Sequence, residues 1–343
     1  MAQDRAFHVM LGLCTAILVL AALYLARSIF APVAFAIFII AIVWPLQSAL
    51  QAKMPKLLAL AITILATVVV VTVVGALVVW GFGVVGHWLF GNAARFQTLY
   101  GQTTYWLEGH GIFVTGVLSE YFDVGFLIRA FQQLTGRVHG LVTFALVTLI
   151  FLLLGLLEVD TAREKLKALE NKELGRSLLR AGETTAQKFR RYMLVRTAMS
   201  VMTGIVVWGF AWIAGLELPA AWGAIAFALN YIPFVGPFVA TVLPTLFAIA
   251  QSESWEMAVI VFLCLNLIQF LIGSYLEPRV AGATLSVSPF MVLFAVFFWM
   301  FLWGIPGAFI GVPILVAALT VCEQYPSTRW VADLLSGRDE GTL

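Results

Sequence analysis

Apolar residues run through this chain in long uncharged blocks. No Lys, Arg, Asp or Glu interrupts residues 6–26, 28–52, 57–94, 138–157, 197–216, 218–252, 257–276 or 280–322. A helix needs about 20 apolar residues to cross a hydrocarbon core of roughly 30 Å. Backbone polar groups have no water partner there, so helices are the expected spanning form. The blocks predict spans near Val9–Leu25, Phe30–Pro45, Leu57–Trp80, Val138–Leu157, Ala198–Ala214 and Trp255–Ser274. The blocks 218–252 and 280–322 hold further membrane segments that are broken internally. The predicted fold is all-α: a polytopic helical membrane protein of about eight membrane segments, two of them Gly/Pro-broken or re-entrant. A second uncharged block follows the first with no convincing small-residue cleavage site between them, so the first span is expected to be retained.

Composition sharpens this. Hydrophobic residues make up 62% of the 343 and charged residues 11%, against roughly 25% charged in soluble domains. Too few ionisable side chains are present to cover a particle of this size in water, which excludes a soluble enzyme and a disordered chain. The net charge of +2 says little about partners, but its placement sets an orientation. Of twenty Lys and Arg residues, ten lie between Glu158 and Arg196, and Lys53 and Lys56 follow the second span. The positive-inside rule makes both regions cytoplasmic. The N-terminus is then inside, and the aromatic stretch 91–136 lies outside as an interfacial segment. Thr161–Arg196 reads as helical, with Leu166, Leu169, Leu178 and Leu179 on an apolar side and its charges on a solvated face that can meet anionic lipid. The expected organisation is N-terminal membrane helices over 1–157, a charged cytoplasmic region over 158–196, a transport core over 197–322 and a cytoplasmic tail over 323–343. The C-terminus is inside whether the two broken blocks cross once each or return as hairpins, and the sequence leaves both open.

The breaks are the motifs that carry chemistry. The first is Asn230-Tyr-Ile-Pro-Phe-Val-Gly-Pro237, and the second is Gly304-Ile-Pro-Gly-Ala-Phe-Ile-Gly-Val-Pro313. Proline removes a backbone donor and glycine opens the positive φ that turns need. Irregular backbone at membrane depth is tolerated against protein or a wet cavity, and paired breaks point to a transporter's binding site. Pro233, Gly236, Pro237, Gly304, Pro306, Gly307 and Pro313 are the candidate break and hinge positions. Between the breaks lies a polar patch of Asn266, Gln269, Ser274, Tyr275, Glu277 and Arg279. Asn266, Gln269 and Gly273 fall on one helical face by spacing. Glu277 precedes Pro278 and is biased out of the α region, so the helix is expected to end there, with Glu277 and Arg279 at a membrane boundary.

Other motifs fail in context. Gly81–Gly86 spells G-x-G-x-x-G but sits inside an uncharged block rather than after a strand, so no dinucleotide site is expected. No P-loop, H-E-x-x-H or G-x-S-x-G occurs. Cys14, Cys264 and Cys322 have no ligand spacing. No enzymatic constellation, cofactor, metal or nucleic-acid partner is expected; the partners are the lipid bilayer and a small-molecule substrate. Gly307–Gly311 and Gly136–Gly140 match G-x-x-x-G, a spacing that brings helices close.

The Asn230–Pro237 motif, Tyr275-Leu-Glu-Pro-Arg-Val-Ala-Gly282 and Gly304–Pro313 resemble the autoinducer-2 exporter family of bacterial membrane transporters. The order of Lys188-Phe-Arg-Arg-Tyr192, Gly204, Ile-Pro-x-x-Gly-Pro, Gln269, Glu-Pro-Arg and Ser288-Pro289 carries the resemblance over about 185–320. The Leu-Glu-Pro-Arg form is most similar to the branch containing the quorum-signal exporter. The resemblance implies export or permeation of small polar metabolites, autoinducer-2 among them, by a homo-oligomer in the bacterial inner membrane. Some relatives act as sodium/proton antiporters, which is one alternative. A non-transporting scaffold docking a partner through 161–196 is another. Under the transport reading, Asn230, Tyr231, Gln269, Glu277 and Arg279 are the candidate substrate- or ion-path residues.

Overall fold

The computed structural model describes residues 2–92, 95, 108–109, 124–252, 254–281, 287–325 and 328–335, with backbone alone at 2–6, 9, 124–139 and 281. The elements are α1 (Ala2–Leu25), α2 (Arg27–Gln51), α3 (Lys56–Gly91), α4 (Val124–Lys167), α5 (Lys172–Ile213), α6 (Pro219–Leu229) and α7 (Val235–Ser252). Then come α8 (Trp255–Gln269), a π-helical stretch Phe270–Leu276, α9 (Glu277–Ala281), α10 (Pro289–Trp303), α11 (Ile305–Gln324) and α12 (Arg329–Leu335). Among the described residues, seven stretches are long and apolar enough to cross a membrane: α2, α3, Gly140–Lys167, α5, α7, Trp255–Val280 and α11. The first predicted span is the shorter apolar run Met10–Leu25. Leu, Ile, Val and Phe side chains stand exposed along these helices, a surface suited to lipid. Most of the predicted outer stretch 91–136 lies outside the described residues. Its last part, from Val124, forms one helix with the span that follows.

The charged stretch Thr161–Arg196 is helical, as its pattern predicts, and reverses between α4 and α5. Asn171 caps α5 by accepting the Leu174 N–H at 3.0 Å, satisfying one of the orphan donors of a helix start. Gly175 permits the close turn, since a Cβ there would lie 2.3 Å from the Leu166 carbonyl oxygen.

The chain divides into two compact units. Unit 1 comprises Met1–Ile64, Thr143–Tyr192 and Ala283–Leu343; unit 2 comprises Leu65–Val142 and Met193–Gly282. In unit 1, Ala36, Leu60, Leu152 and Leu156 form a core between α2, α3 and α4. Gly155 allows the close approach, its Cβ position being 2.4 Å from Ile40 Cδ1. Lys56 of α3 bridges to the Leu157 carbonyl at 3.0 Å and to Asp160 at 3.3 Å.

Pro45 inside α2 leaves the Ala41 carbonyl without its intrahelical donor. Arg190 supplies one from α5, with Nη1 donating to that oxygen at 2.9 Å. Arg190→Ala is expected to destabilise the protein by about 1–3 kcal/mol by stranding this acceptor. Thermal unfolding in detergent reads the shift; an unchanged transition contradicts this account.

The second sequence break is the turn of a helical hairpin in unit 1. Gly304 adopts φ 69° and ψ −147°, a conformation open essentially to glycine. Pro306 follows in the first turn of α11, where its missing N–H costs nothing. The arms then run antiparallel in close contact. A Cβ at Gly307 would lie 1.9 Å from the Trp299 carbonyl oxygen, and one at Gly311 would lie 2.8 Å from that of Ala295. The G-x-x-x-G spacing thus serves helix packing. Pro313 lies inside α11, buried. α10 and α11 therefore form a hairpin. Its first arm has 15 residues and rises about 22 Å, and its second has 20.

Candidate functional site

The polar residues singled out in the sequence gather in unit 2, where α5, the first broken block and the α8–π–α9 rod pack together. The broken block is again a hairpin. Gln251, at the end of α7, holds the start of the block by accepting the Glu217 N–H at 2.8 Å and donating to the Gly215 carbonyl at 2.8 Å. Glu217 also accepts from the Trp88 indole. Phe247 of α7 packs on Trp222 of α6 with ring centroids 5.0 Å apart. Both ends of 218–252 thus lie side by side, and the 11-residue α6 descends only about 16 Å.

Its tip is built by the residues between α6 and α7. Phe234 takes φ 62°, a left-handed conformation rare for a bulky residue. Pro233 accepts the Val235 N–H at 2.7 Å, and Gly236 donates to the Ile232 carbonyl at 2.9 Å. The Pro237 carbonyl accepts from the Thr241 hydroxyl at 2.9 Å. Gly236 is required by contact, not by its φ: a Cβ there would lie 1.8 Å from the Leu229 carbonyl oxygen.

Glycines on both sides seat this hairpin on α5. A Cβ on Gly223 would lie 2.7 Å from the Gly204 carbonyl oxygen, and one on Gly204 would lie 2.9 Å from Phe227 Cβ. Backbone thereby approaches backbone, and the polar tip is pressed onto the lower part of α5. Asn230 Nδ2 donates to Ser200 Oγ at 3.2 Å, and the Tyr231 and Thr197 hydroxyls are 3.0 Å apart. Ser200 and Thr203 are 0% exposed and Asn230 is 4% exposed.

Arg196 precedes Ser200 by one turn. Its Nη1 donates to both carboxylate oxygens of Glu277, at 2.5 and 2.7 Å. The Arg196 side chain is 6% exposed and that of Glu277 22%. Next to this pair, Val195 and Met199 of α5 pack on Ile272 of the π stretch. Arg196, Ser200 and Thr203 recur on one face of α5, so a seam of hydroxyls and amides rises about 10 Å from the ion pair. Arg196 Nε, Thr203 Oγ1 and Gln269 Nε2 are buried with no hydrogen-bond partner among the described residues. Such groups are costly unless matched. The seam therefore carries unspent hydrogen-bonding groups beside an ion pair of opposite charges.

Several expectations change here. Glu277 does not end the helix. It sits at φ −56°, ψ −49° and its N–H bonds the Ile272 carbonyl, because a wide π turn absorbs the conflict created by Pro278. Arg279 does not pair with Glu277 but stacks over the Tyr275 ring at 4.0 Å, with both side chains exposed. Asn266 is exposed and bonds its own helix at Phe262 O, 2.8 Å away. The π stretch begins just after Gln269, so Gly273 is out of phase with the face that spacing assigned to it. Arg196 was counted among the cytoplasmic charges and missed as a site residue. Its one signal was its position as the last charge before the uncharged block 197–216. Gly304, Pro306, Gly307 and Pro313 lie in the hairpin of unit 1.

The AI-2E family transporter model matches residues 13–327. The chain is 27% identical over 332 residues to the AI-2 transport protein TqsA of Escherichia coli (strain K12), covering 96% of this chain and 94% of that protein. A Haemophilus influenzae protein is 24% identical, with 95% of both chains covered. A Borreliella burgdorferi protein is 29% identical over 215 residues, covering 62% of this chain and 58% of that protein. The names of these last two refer to transport provisionally and specify no substrate.

Proposed function

The chain belongs to the AI-2E family of membrane transporters, and from that premise we propose that it moves small polar metabolites across the bacterial cytoplasmic membrane. Autoinducer-2 is the substrate named for the relative TqsA and is the first to test. The concentration of basic residues between Glu158 and Arg196 supports cytoplasmic termini. The observation that carries the reading is the Asn230–Ser200 contact. A buried amide at the tip of a helical hairpin meets a buried hydroxyl inside segments that are otherwise apolar. A purely structural anchor has no need of polar groups at this depth, where each must be matched. Gln269, Glu277 and Tyr231 complete the path, and Arg279 stands at its cytoplasmic mouth.

The ion pair argues for solute movement over sodium/proton antiport, since Arg196 engages both carboxylate oxygens of Glu277. Purified protein in proteoliposomes is expected to pass labelled autoinducer-2 without a sodium-dependent proton flux. Asn230→Ala and Ser200→Ala should each reduce that flux by about tenfold, corresponding to the loss of one buried hydrogen-bonding group. Unchanged flux in both variants overturns the assignment of the seam as the path.

A further inference from the structure

We propose that Pro278 is a positioning residue: it holds the π-helical turn Phe270–Leu276 and so aims Glu277 at Arg196. This rests on the transport reading for its consequence, though not for its geometry. α8 is regular to Gln269, and the Phe270 N–H still reaches the Asn266 and Leu267 carbonyls. The chain then widens, and the Glu277 N–H bonds Ile272 O, five residues back. Such π turns add one residue to a helix and recur at functional sites.

Pro278 supplies the cause. In a continuous α-helix its ring would collide with the Ser274 carbonyl and leave that oxygen without a donor. With the π turn in place, Pro278 falls in the first turn of a new helical segment, Glu277–Ala281, where proline is favoured.

The consequence is rotational. Ile272 is buried against Val195 and Met199 of α5, and Arg196 follows Val195 in sequence. In a continuous α-helix Glu277 would stand about 140° around the axis from Ile272. It would align instead with Gly273 and Phe270, and Phe270 is 60% exposed. The added residue brings Glu277 back over Ile272, within reach of Arg196. Without it the carboxylate faces lipid and Arg196 is left buried and uncompensated.

A π turn equals one inserted residue, so removing one residue substitutes for it. Gly273 is the residue to delete, because the space about its Cβ position is empty to 4 Å. The full chain is compared in detergent as wild type, Pro278→Ala, and Pro278→Ala with Gly273 deleted, each with and without Glu277→Gln. Glu277→Gln is expected to lower the unfolding temperature in the wild type and the deletion variant, and to have no effect in Pro278→Ala. An equal drop in Pro278→Ala overturns the proposal, as does failure of the deletion to restore the drop. Should Pro278→Ala not fold, deletion of Gly273 with Pro278 retained serves in its place. It must abolish the Glu277→Gln effect, and persistence of that effect overturns the proposal. Flux in proteoliposomes is read separately and is expected to be lost in Pro278→Ala and regained on deletion. If the thermal pattern holds while flux does not follow it, the failure lies in the transport reading and not in the role of Pro278.

Discussion

Glu277→Gln is expected to destabilise the protein by about 3–5 kcal/mol, the cost of leaving one member of a buried ion pair without the other. The larger part falls on Arg196, whose side chain is 6% exposed against 22% for Glu277. Its Nε already lacks a partner among the described residues. Replacing both residues with methionine removes the stranded charge, so stability should largely return. Flux should not, because one end of the seam loses its polar groups. Thermal unfolding in detergent and proteoliposome flux separate the two effects. A double variant as unstable as Glu277→Gln would show that the pair is not the source of the loss.

Gly236→Ala should be the next most damaging change. The new Cβ would lie 1.8 Å from the Leu229 carbonyl oxygen and 2.6 Å from its carbon. Both are backbone atoms, so no side-chain rotation relieves the clash, and the turn must open. Opening moves Asn230 away from Ser200, a contact of 3.2 Å. Overpacking of this kind costs about 1–3 kcal/mol or more, and flux should fall with it. Gly209→Ala in α5 is the matching control, because nothing lies within 4 Å of its Cβ position. It should leave stability within about 0.5 kcal/mol and flux unchanged. Equal behaviour of the two variants would mean that the tip geometry is unimportant.

The helical membrane class was legible along the chain because charge spacing and helix length answer to the same thickness of hydrocarbon. The breaks at Asn230–Pro237 and Gly304–Pro313 were legible too, since proline and glycine act locally on the backbone. Whether those breaks turned the chain back was not. That depended on Gln251 meeting Gly215 and Glu217, residues more than thirty positions away, and on glycines allowing arms to touch. The partner of Glu277 was equally hidden. The nearest basic residue in sequence is Arg279, yet Arg196 is 81 positions away and makes the bond.

By itself, then, the sequence determined what is local or summed along the chain: helical spans in lipid, an excess of positive charge on one side, and two places where a helix cannot continue. The rule for residues before proline went further and ended the helix at Glu277. A local rule offers two ways to accommodate a proline, stopping or widening, and cannot choose between them. Only the tertiary structure decided, because packing Ile272 against α5 and pairing Glu277 with Arg196 both reward the wider turn. Pairings between distant segments carry no periodicity of their own. The polar seam, unlike the spans that hold it, exists only once α5 and the hairpin are brought together.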